Sequence, residues 1–183
     1  MKTISRVFIA VCVALVALVC ACQKQNNKTT NGDPRLTNPY CNDPAAVNYN
    51  WGFPGKPDNT ICFYPNDLFV GRYVYYDSIF QADFTPTYTR IDTLLITSNS
   101  HTALLLTGFC APGDTLHLTA GLAYSATLDT TIGSGQPLCR PVDTVSGTLS
   151  RNLADTLPNV HVYFTVVADT GTTYHIGLAV KLK

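Results

Sequence analysis

From Asn66 to the C-terminus, apolar and polar residues alternate one by one, the period-2 pattern of a half-buried β-strand rather than the 3.6 period of a helix. In the last stretch Tyr174, Ile176, Leu178, Val180 and Leu182 fall on one face, with Thr173, His175, Gly177, Ala179 and Lys181 on the other. Val160, Val162, Phe164 and Val166 repeat the pattern just upstream. Between them, Asp169-Thr170-Gly171 suits a three-residue hairpin loop with glycine in the left-handed position. An odd loop pairs even positions with even positions, so the even residues of both strands are expected in the core and His175 in solvent. Further runs lie at Leu68–Asp77, Arg90–Thr97, Ala103–Phe109, Thr115–Ala120, Leu122–Thr131 and Val142–Ser150. They are separated by Ser98-Asn99-Ser100, Pro112-Gly113-Asp114 and Gly133-Ser134-Gly135. The pattern predicts an all-β domain over 66–183, an antiparallel meander of about eight strands, closed as a small barrel or folded as a sandwich.

Composition supports strands and turns. The chain has 24 Thr, 10 Tyr and twelve acidic residues, every one of them Asp. Asp favours turns and caps, whereas the missing Glu favours helix interiors. Residues 66–183, about 118 of them, suffice for one domain with a real core. Asp-Thr dipeptides recur at Asp92, Asp114, Asp129, Asp143, Asp155 and Asp169. Turn-then-strand chemistry accounts for them; carboxylates gathered at one rim to hold calcium would be the sharper reading. Calcium is the one cofactor the chain suggests, and none is required.

The N-terminus differs in kind. Lys2 and Arg6 precede thirteen apolar residues, Val7 to Val19, too few to span a ~30 Å hydrocarbon core. This is the layout of a secretory signal peptide, residues 1–21. Val19-Cys20-Ala21-Cys22 resembles the lipobox of bacterial lipoproteins, which implies acylation of Cys22 and attachment to a membrane by lipid chains. The polar stretch to Pro39 lacks any apolar period and reads, with Cys22, as a lipid-anchored flexible linker over 22–39. Loss of Lys2 and Arg6 with the signal leaves ten basic and twelve acidic side chains, a formal charge of −2. No basic patch exists to neutralise phosphates, which argues against nucleic acid as a partner.

Of seven cysteines, Cys12 and Cys20 depart with the signal and Cys22 carries lipid, leaving Cys41, Cys62, Cys110 and Cys139. An even set in an exported protein predicts disulfides. Three connectivities are possible, and local pairing, Cys41–Cys62 and Cys110–Cys139, keeps each bridge within one segment. Zinc or redox use would want C-x-x-C spacing or nearby histidines, which neither pair has. Residues 40–65 thus read as a disulfide-closed loop ahead of the β domain, with Trp51 and Phe53 available to pack against it. Cys41, Asp43, Pro44, Ala46, Asn48, Tyr49, Asn50, Cys62 and Tyr64 resemble a segment, C-x-D-P-x-A-x-N-Y-[ND]…C-x-[YF], recurring in exported and surface proteins of Bacteroidetes-type bacteria. The resemblance implies a lipoprotein of such a cell, anchored at the outer membrane on its periplasmic or cell-surface side.

Phe69-Val70-Gly71-Arg72-Tyr73 is similar to the opening strand of small lipocalin-like domains on such lipoproteins, F-x-G-x-Y, which implies a lipocalin-like barrel. A lipocalin proper would place Trp near Tyr73 and Arg on the last strand, where Lys181 is the nearest cation. Tyr73 and Tyr75 share one face of this strand with Phe69, and Val70, Val74 and Tyr76 share the other. One face must be core; an exposed one would be an aromatic platform for a glycan or protein edge, making Tyr73, Tyr75 and Tyr76 the candidate binding residues. His117, His161 and His175 fall on polar faces and His101 in a turn, so all four are expected to face solvent and no metal ligands are assigned. No nucleophile elbow, zinc helix or phosphate loop is present, and no catalytic residue is assigned. The expected function is that of a non-enzymatic envelope lipoprotein binding a small molecule, glycan or protein, with a calcium-stabilised adhesion module as the alternative and an Asp-pair hydrolase behind it.

Overall fold

The computed structural model describes residues 33–110, 114–130, 135–138, 140, 142–152 and 158–183. The expected signal peptide, Cys22 and Cys139 lie outside these residues, as do Asp155 and parts of the 111–113 and 131–134 turns.

The chain opens with a module stapled by Cys41–Cys62. Within the stretch expected as a linker, Pro34–Thr37 forms a 3-10 turn capped by the Asp33 side chain. Strands β1 (Pro39–Tyr40) and β2 (Lys56–Pro57) pair in parallel across the loop. Asn48, nearly buried, donates to the Ile61 carbonyl and accepts from the Phe63 N–H, tying the loop's two limbs together. Trp51 and Phe53 do not reach the β domain. They stand exposed, edge-on to Phe63 and Tyr40 of their own module. Val47 and Phe63 make the contact with the barrel core instead.

Eight strands follow as an up-and-down meander: β3 (Gly71–Gln81), β4 (Pro86–Ser98), β5 (Ala103–Thr107), β6 (Thr115–Ala120), β7 (Ser125–Leu128), then β9 (Thr144–Ser150), β10 (Val160–Ala168) and β11 (Gly171–Lys181), with the short β8 (Gln136–Pro137) before β9. Each pairs antiparallel with the next, and β11 returns to β3, so the sheet closes into a barrel. β8 extends the edge of β9 where β7 has ended. There the buried Gln136 side chain bonds the backbone of His117 on β6 and bridges the gap. Closure decides between the two architectures that alternation left open: a barrel leaves no free sheet edge.

Inward positions alternate as expected on β3 to β10, with Tyr73, Tyr75, Leu94, Leu106, Leu118, Leu149, Val162 and Phe164 all buried. The last strand is inverted relative to expectation. The hairpin loop has two residues, Asp169 and Thr170, and Gly171 pairs with Ala168. Even positions on β10 therefore face odd positions on β11, Phe164 against His175. A one-residue change in loop length moves a whole strand face. His175 and Ala179 point into the barrel, and Tyr174, Ile176, Leu178 and Val180 point out.

One barrel end is closed. The 3-10 turn Pro65–Leu68 and Phe69 plug it, and the Tyr73 hydroxyl donates to the Phe69 carbonyl at 2.7 Å. Lys181 Nζ lies 5.9 Å from the Tyr73 ring centroid and donates to the Val70 carbonyl at 2.7 Å. Tyr73 and Lys181 thus meet where the resemblance wanted Trp and Arg. The other end holds the β3–β4, β5–β6 and β10–β11 connections and the long β7–β9 crossing.

Candidate functional site

Charge is rare inside a small barrel, which makes its position informative. On β3, Asp77 follows Tyr73 and Tyr75 on the inward face and is 1 % exposed. The register sets it between Gly177 on β11 and Arg90 on β4, and Tyr75 between Ala179 and Asp92. Small residues on β11 make this possible. A Cβ on Gly177 would meet the Tyr76 carbonyl at 2.0 Å and the Tyr75 ring at 2.8 Å.

Burying a lone carboxylate costs several kcal/mol unless partners offset it. Asp77 has three. Oδ1 accepts from the Tyr75 hydroxyl at 2.8 Å, and Oδ2 accepts from Arg90 Nε at 3.0 Å and lies 2.7 Å from His175 Nδ1. An ionised carboxylate only accepts, so Nδ1 carries the hydrogen. In the neutral ring, Nε2 then accepts from the Thr173 hydroxyl at 3.2 Å.

Arg90 also donates through Nη2 to the Phe109 carbonyl at 3.0 Å, with its guanidinium 5.2 Å from that ring's centroid. Phe109 stands edge-on to Phe164 and to His175, at 5.0 and 5.2 Å between centroids. Asp92 is the poorly served member. Its Oδ2 lies 2.8 Å from Arg90 Nε yet takes no hydrogen bond, because the single Nε–H is directed at Asp77. Burial pushes the Asp92 carboxyl above the usual range; Arg90 opposes this and the charge on Asp77 adds to it. Burial, then the charge of Asp77, pushes the Tyr75 phenol far up, and burial raises Tyr73 to about 12.

Above the cluster, at the open end, a pocket of about 180 Å³ is lined by Arg90, Phe109, Cys110, Leu138, Val166 and His175. Cys110 is disulfide-bonded. A larger hollow of about 320 Å³ lies by the C-terminus against Pro158, Val180, Lys181, Leu182 and Lys183, with Lys181 Nζ committed to the Val70 carbonyl. The mouth, by contrast, opens onto a buried cluster of convergent polar groups, the feature that marks ligand sites. The mouth is therefore the candidate site. Its residues form a hydrogen-bonded chain from Asp77 through His175 to Thr173, and present the Arg90 guanidinium and the Phe109 ring to the pocket.

Of the three candidate tyrosines, Tyr73 and Tyr75 are fully buried core residues, and Tyr76 alone is on an accessible face, 51 % exposed. His175, expected in solvent, is buried in the cluster; His117 and His101 are exposed, His101 stacked on Tyr64. Two sequence signals, neither of them used in reading the alternation, could have found the cluster: Asp77 on the period of Tyr73 and Tyr75, and Gly177, whose place inside a strand marks close approach of a neighbour. Among the described residues, no group of three or more His, Cys, Asp or Glu side chains is placed to hold a metal. Of the rim carboxylates, Asp143 and Asp169 are bound by Arg140, and Asp129 accepts from Thr119. No helix among the described residues is long and apolar enough to cross a membrane. No family model matches the chain, and no curated protein or solved structure matches it either.

Proposed function

We propose that the chain is a non-enzymatic, lipid-anchored lipoprotein of a Bacteroidetes-type cell envelope, and that its barrel binds a small ligand at the open mouth. The observation carrying the binding part is the Asp77–Arg90–His175 cluster, buried at cost beneath a pocket at the barrel mouth. A pocket of about 180 Å³ is below the ~300–1,000 Å³ of drug-sized sites, so the ligand, or the part that enters, is small. The guanidinium of Arg90 suits a carboxylate or carbonyl group, and Phe109, Leu138 and Val166 suit a short apolar body. The anchor rests on the lipobox-like Val19–Cys22 and the apolar run before it.

Calorimetric titration with a series of short aliphatic and aromatic carboxylates tests the site. Binding that Arg90→Gln weakens at least tenfold supports it, and no heat from any member of the series counts against it. Turnover of an ester panel that Asp77→Asn abolishes would replace the binding reading with an enzymatic one built on Thr173, His175 and Asp77. Labelling of cells with a palmitate analogue tests the anchor: the label is expected on the wild type and absent from Cys22→Ala.

A further inference from the structure

Arg90 stands between two carboxylates. Its Nε lies 3.0 Å from Asp77 Oδ2 and 2.8 Å from Asp92 Oδ2, and its single hydrogen goes to Asp77. Asp92 follows Arg90 on the inward face of β4, and its Oδ2 is buried with no hydrogen bond. The charged and titratable groups facing it are Arg90 on its own strand, Asp77 and Tyr75 on β3, and His175 beyond them on β11. The chain on the other side of β4, Thr107 to Phe109, carries no charge. With the His175 ring neutral, two carboxylates against one guanidinium leave the cluster a single negative charge in excess. Arg90 still fronts the pocket at the mouth. Of its five N–H donors, those bound among the described residues are Nε and one on Nη2, held by the Phe109 carbonyl.

We infer, resting on the mouth as the binding site, that its ligand is a carboxylate taken up together with one proton, and that Asp92 receives the proton. A third carboxylate beside Arg90 would bring a second uncompensated negative charge into a buried cluster, where like charges oppose one another's ionisation. Protonating one of the three removes the excess. Asp92 gives up least by it. Protonating Asp77 would disturb an acceptor shared by Tyr75, Arg90 and His175, whereas no donor serves Asp92 Oδ2. Burial already lifts the Asp92 carboxyl above the usual range, with Arg90 opposing and the charge of Asp77 adding. The guanidinium then exchanges the charge of Asp92 for that of the ligand. Asp92 thereby sets which ligand the mouth accepts, because a neutral amide of the same size brings no charge and draws no proton. Linkage fixes the sign: carboxylate affinity rises as pH falls, by up to about tenfold per pH unit for one proton.

The test is calorimetric titration of the full chain in detergent with butyrate and benzoate, each beside its amide, at pH 6 and pH 8. Both acids are ionised at either pH, so the proton must come from the buffer. The carboxylate that binds is expected to do so at least fivefold more tightly at pH 6, with a heat that differs between phosphate and Tris by the uptake of a proton. Any heat from the amide should be free of that buffer difference. Asp92→Asn should bind the carboxylate at pH 8 at least fivefold more tightly than the wild type and lose the dependence on pH. Equal affinity at both pH values, or binding without proton uptake, overturns the inference and leaves the binding site standing. A pH dependence kept in Asp92→Asn sends the proton to another group and overturns it too. No heat from any carboxylate at either pH removes the binding site itself. Should Asp92→Asn fail to accumulate, Asp92→Ala gives the same readout.

Discussion

Asp77 and His175 stand 98 residues apart in the chain and 2.7 Å apart inside the barrel. The contact exists because β11 closes the sheet on β3, bringing the last strand beside the first. With Arg90 on the far side, the carboxylate answers two nitrogen donors at once. Asp77→Ala takes the shared acceptor from Tyr75, Arg90 and His175 and leaves Arg90 only the charge of Asp92, 2.8 Å from its Nε, and an expected loss of about 3–5 kcal/mol follows from breaking a buried pair by one partner. Asp77→Asn keeps the shape and should cost less, about 1–3 kcal/mol. Urea unfolding measures both; a loss below 1 kcal/mol for the alanine variant would show that the cluster does not hold the interior together.

Gly177→Ala should destabilise by about 1–3 kcal/mol, the ordinary range for overpacking a filled core. The added methyl has no direction to yield, since the Tyr76 carbonyl lies 2.0 Å from its position and the Tyr75 ring 2.8 Å. Gly171→Ala is the control. Nothing stands within 4 Å of its would-be Cβ, so only its φ of +127° opposes the change. A melting temperature for Gly177→Ala equal to the wild type would mean that the β3 backbone at Tyr76 can move away from β11 without loss.

How far the fold could be read in advance turns on these same residues. Alternation located all eight barrel strands, because each strand has one wet and one dry face and the period records it. Thr115–Ala120 matches to the residue. On β11 the reading inverted, for a physical reason. Its inward face carries Gly177, Ala179, His175 and Lys181, which look polar or small because Tyr73 and Tyr75 from β3 fill the space they leave. Hydrophobic patterning weighs each strand alone, whereas volume is shared across the barrel. The site followed the same fate: Asp77 shares the period of Tyr73 and Tyr75, but alternation left open which face of that strand is core, and its partners were fixed by register, which hangs on a single loop residue at Gly171.

Asp92 sets a pH dependence of its own sign. Its carboxyl titrates above the usual range when folded, so the native protein holds that proton more tightly than the unfolded chain. Its contribution is stabilising below the ordinary carboxylate pKa and is lost as pH rises through the raised value. Asp43, Asp58 and Asp83 run the other way. Side-chain and backbone hydrogen bonds hold them low, so what they contribute is present above the ordinary pKa and lost as pH falls through the lowered one. Asp92→Asn should therefore stabilise at pH 7, by on the order of 1 kcal/mol for one unpaired buried acceptor. The gain should fade below pH 4. Thermal melts of the two proteins at both pH values decide it, and a pH-independent difference would place the effect outside titration.

Removal of the Cys41–Cys62 bridge should open the N-terminal module before the barrel. The bridge closes a loop of sequence separation 21, for which chain entropy gives about 3 kcal/mol. Few buried residues stand behind it within the module: Tyr40, Ala46 and Asn48. In a Cys41→Ser, Cys62→Ser chain, protease is expected to cut between residues 42 and 61 while the barrel's melting transition moves by only a few degrees. A transition lowered as much as by Asp77→Ala would show that Val47 and Phe63 couple the module to the core. Non-reducing peptide mapping of the same chain should find Cys110 joined to Cys139, the pairing that local closure predicts.

The closed end offers a way to separate stability from binding. Lys181 donates to the Val70 carbonyl and sits over the Tyr73 ring, so Lys181→Met gives up a charged hydrogen bond and a cation–π contact. The hydrogen bond is the larger of the two, about 1.5–3 kcal/mol against roughly 0.5–1 for the ring. Packing is largely kept, because the methionine stem follows the lysine stem beneath Gly71, whose Cβ position Lys181 already occupies to within 2.4 Å. A net loss of about 2–4 kcal/mol is therefore expected in urea. Lys181→Arg should recover part of it, since a guanidinium restores both the donor and the charge over the ring. Carboxylate affinity at the mouth should stay within twofold of the wild type in both variants, because β11 runs from Thr173 at one end of the barrel to Lys181 at the other. Affinity that falls together with stability would mean the barrel breathes as one body and that the mouth is shaped from its far end.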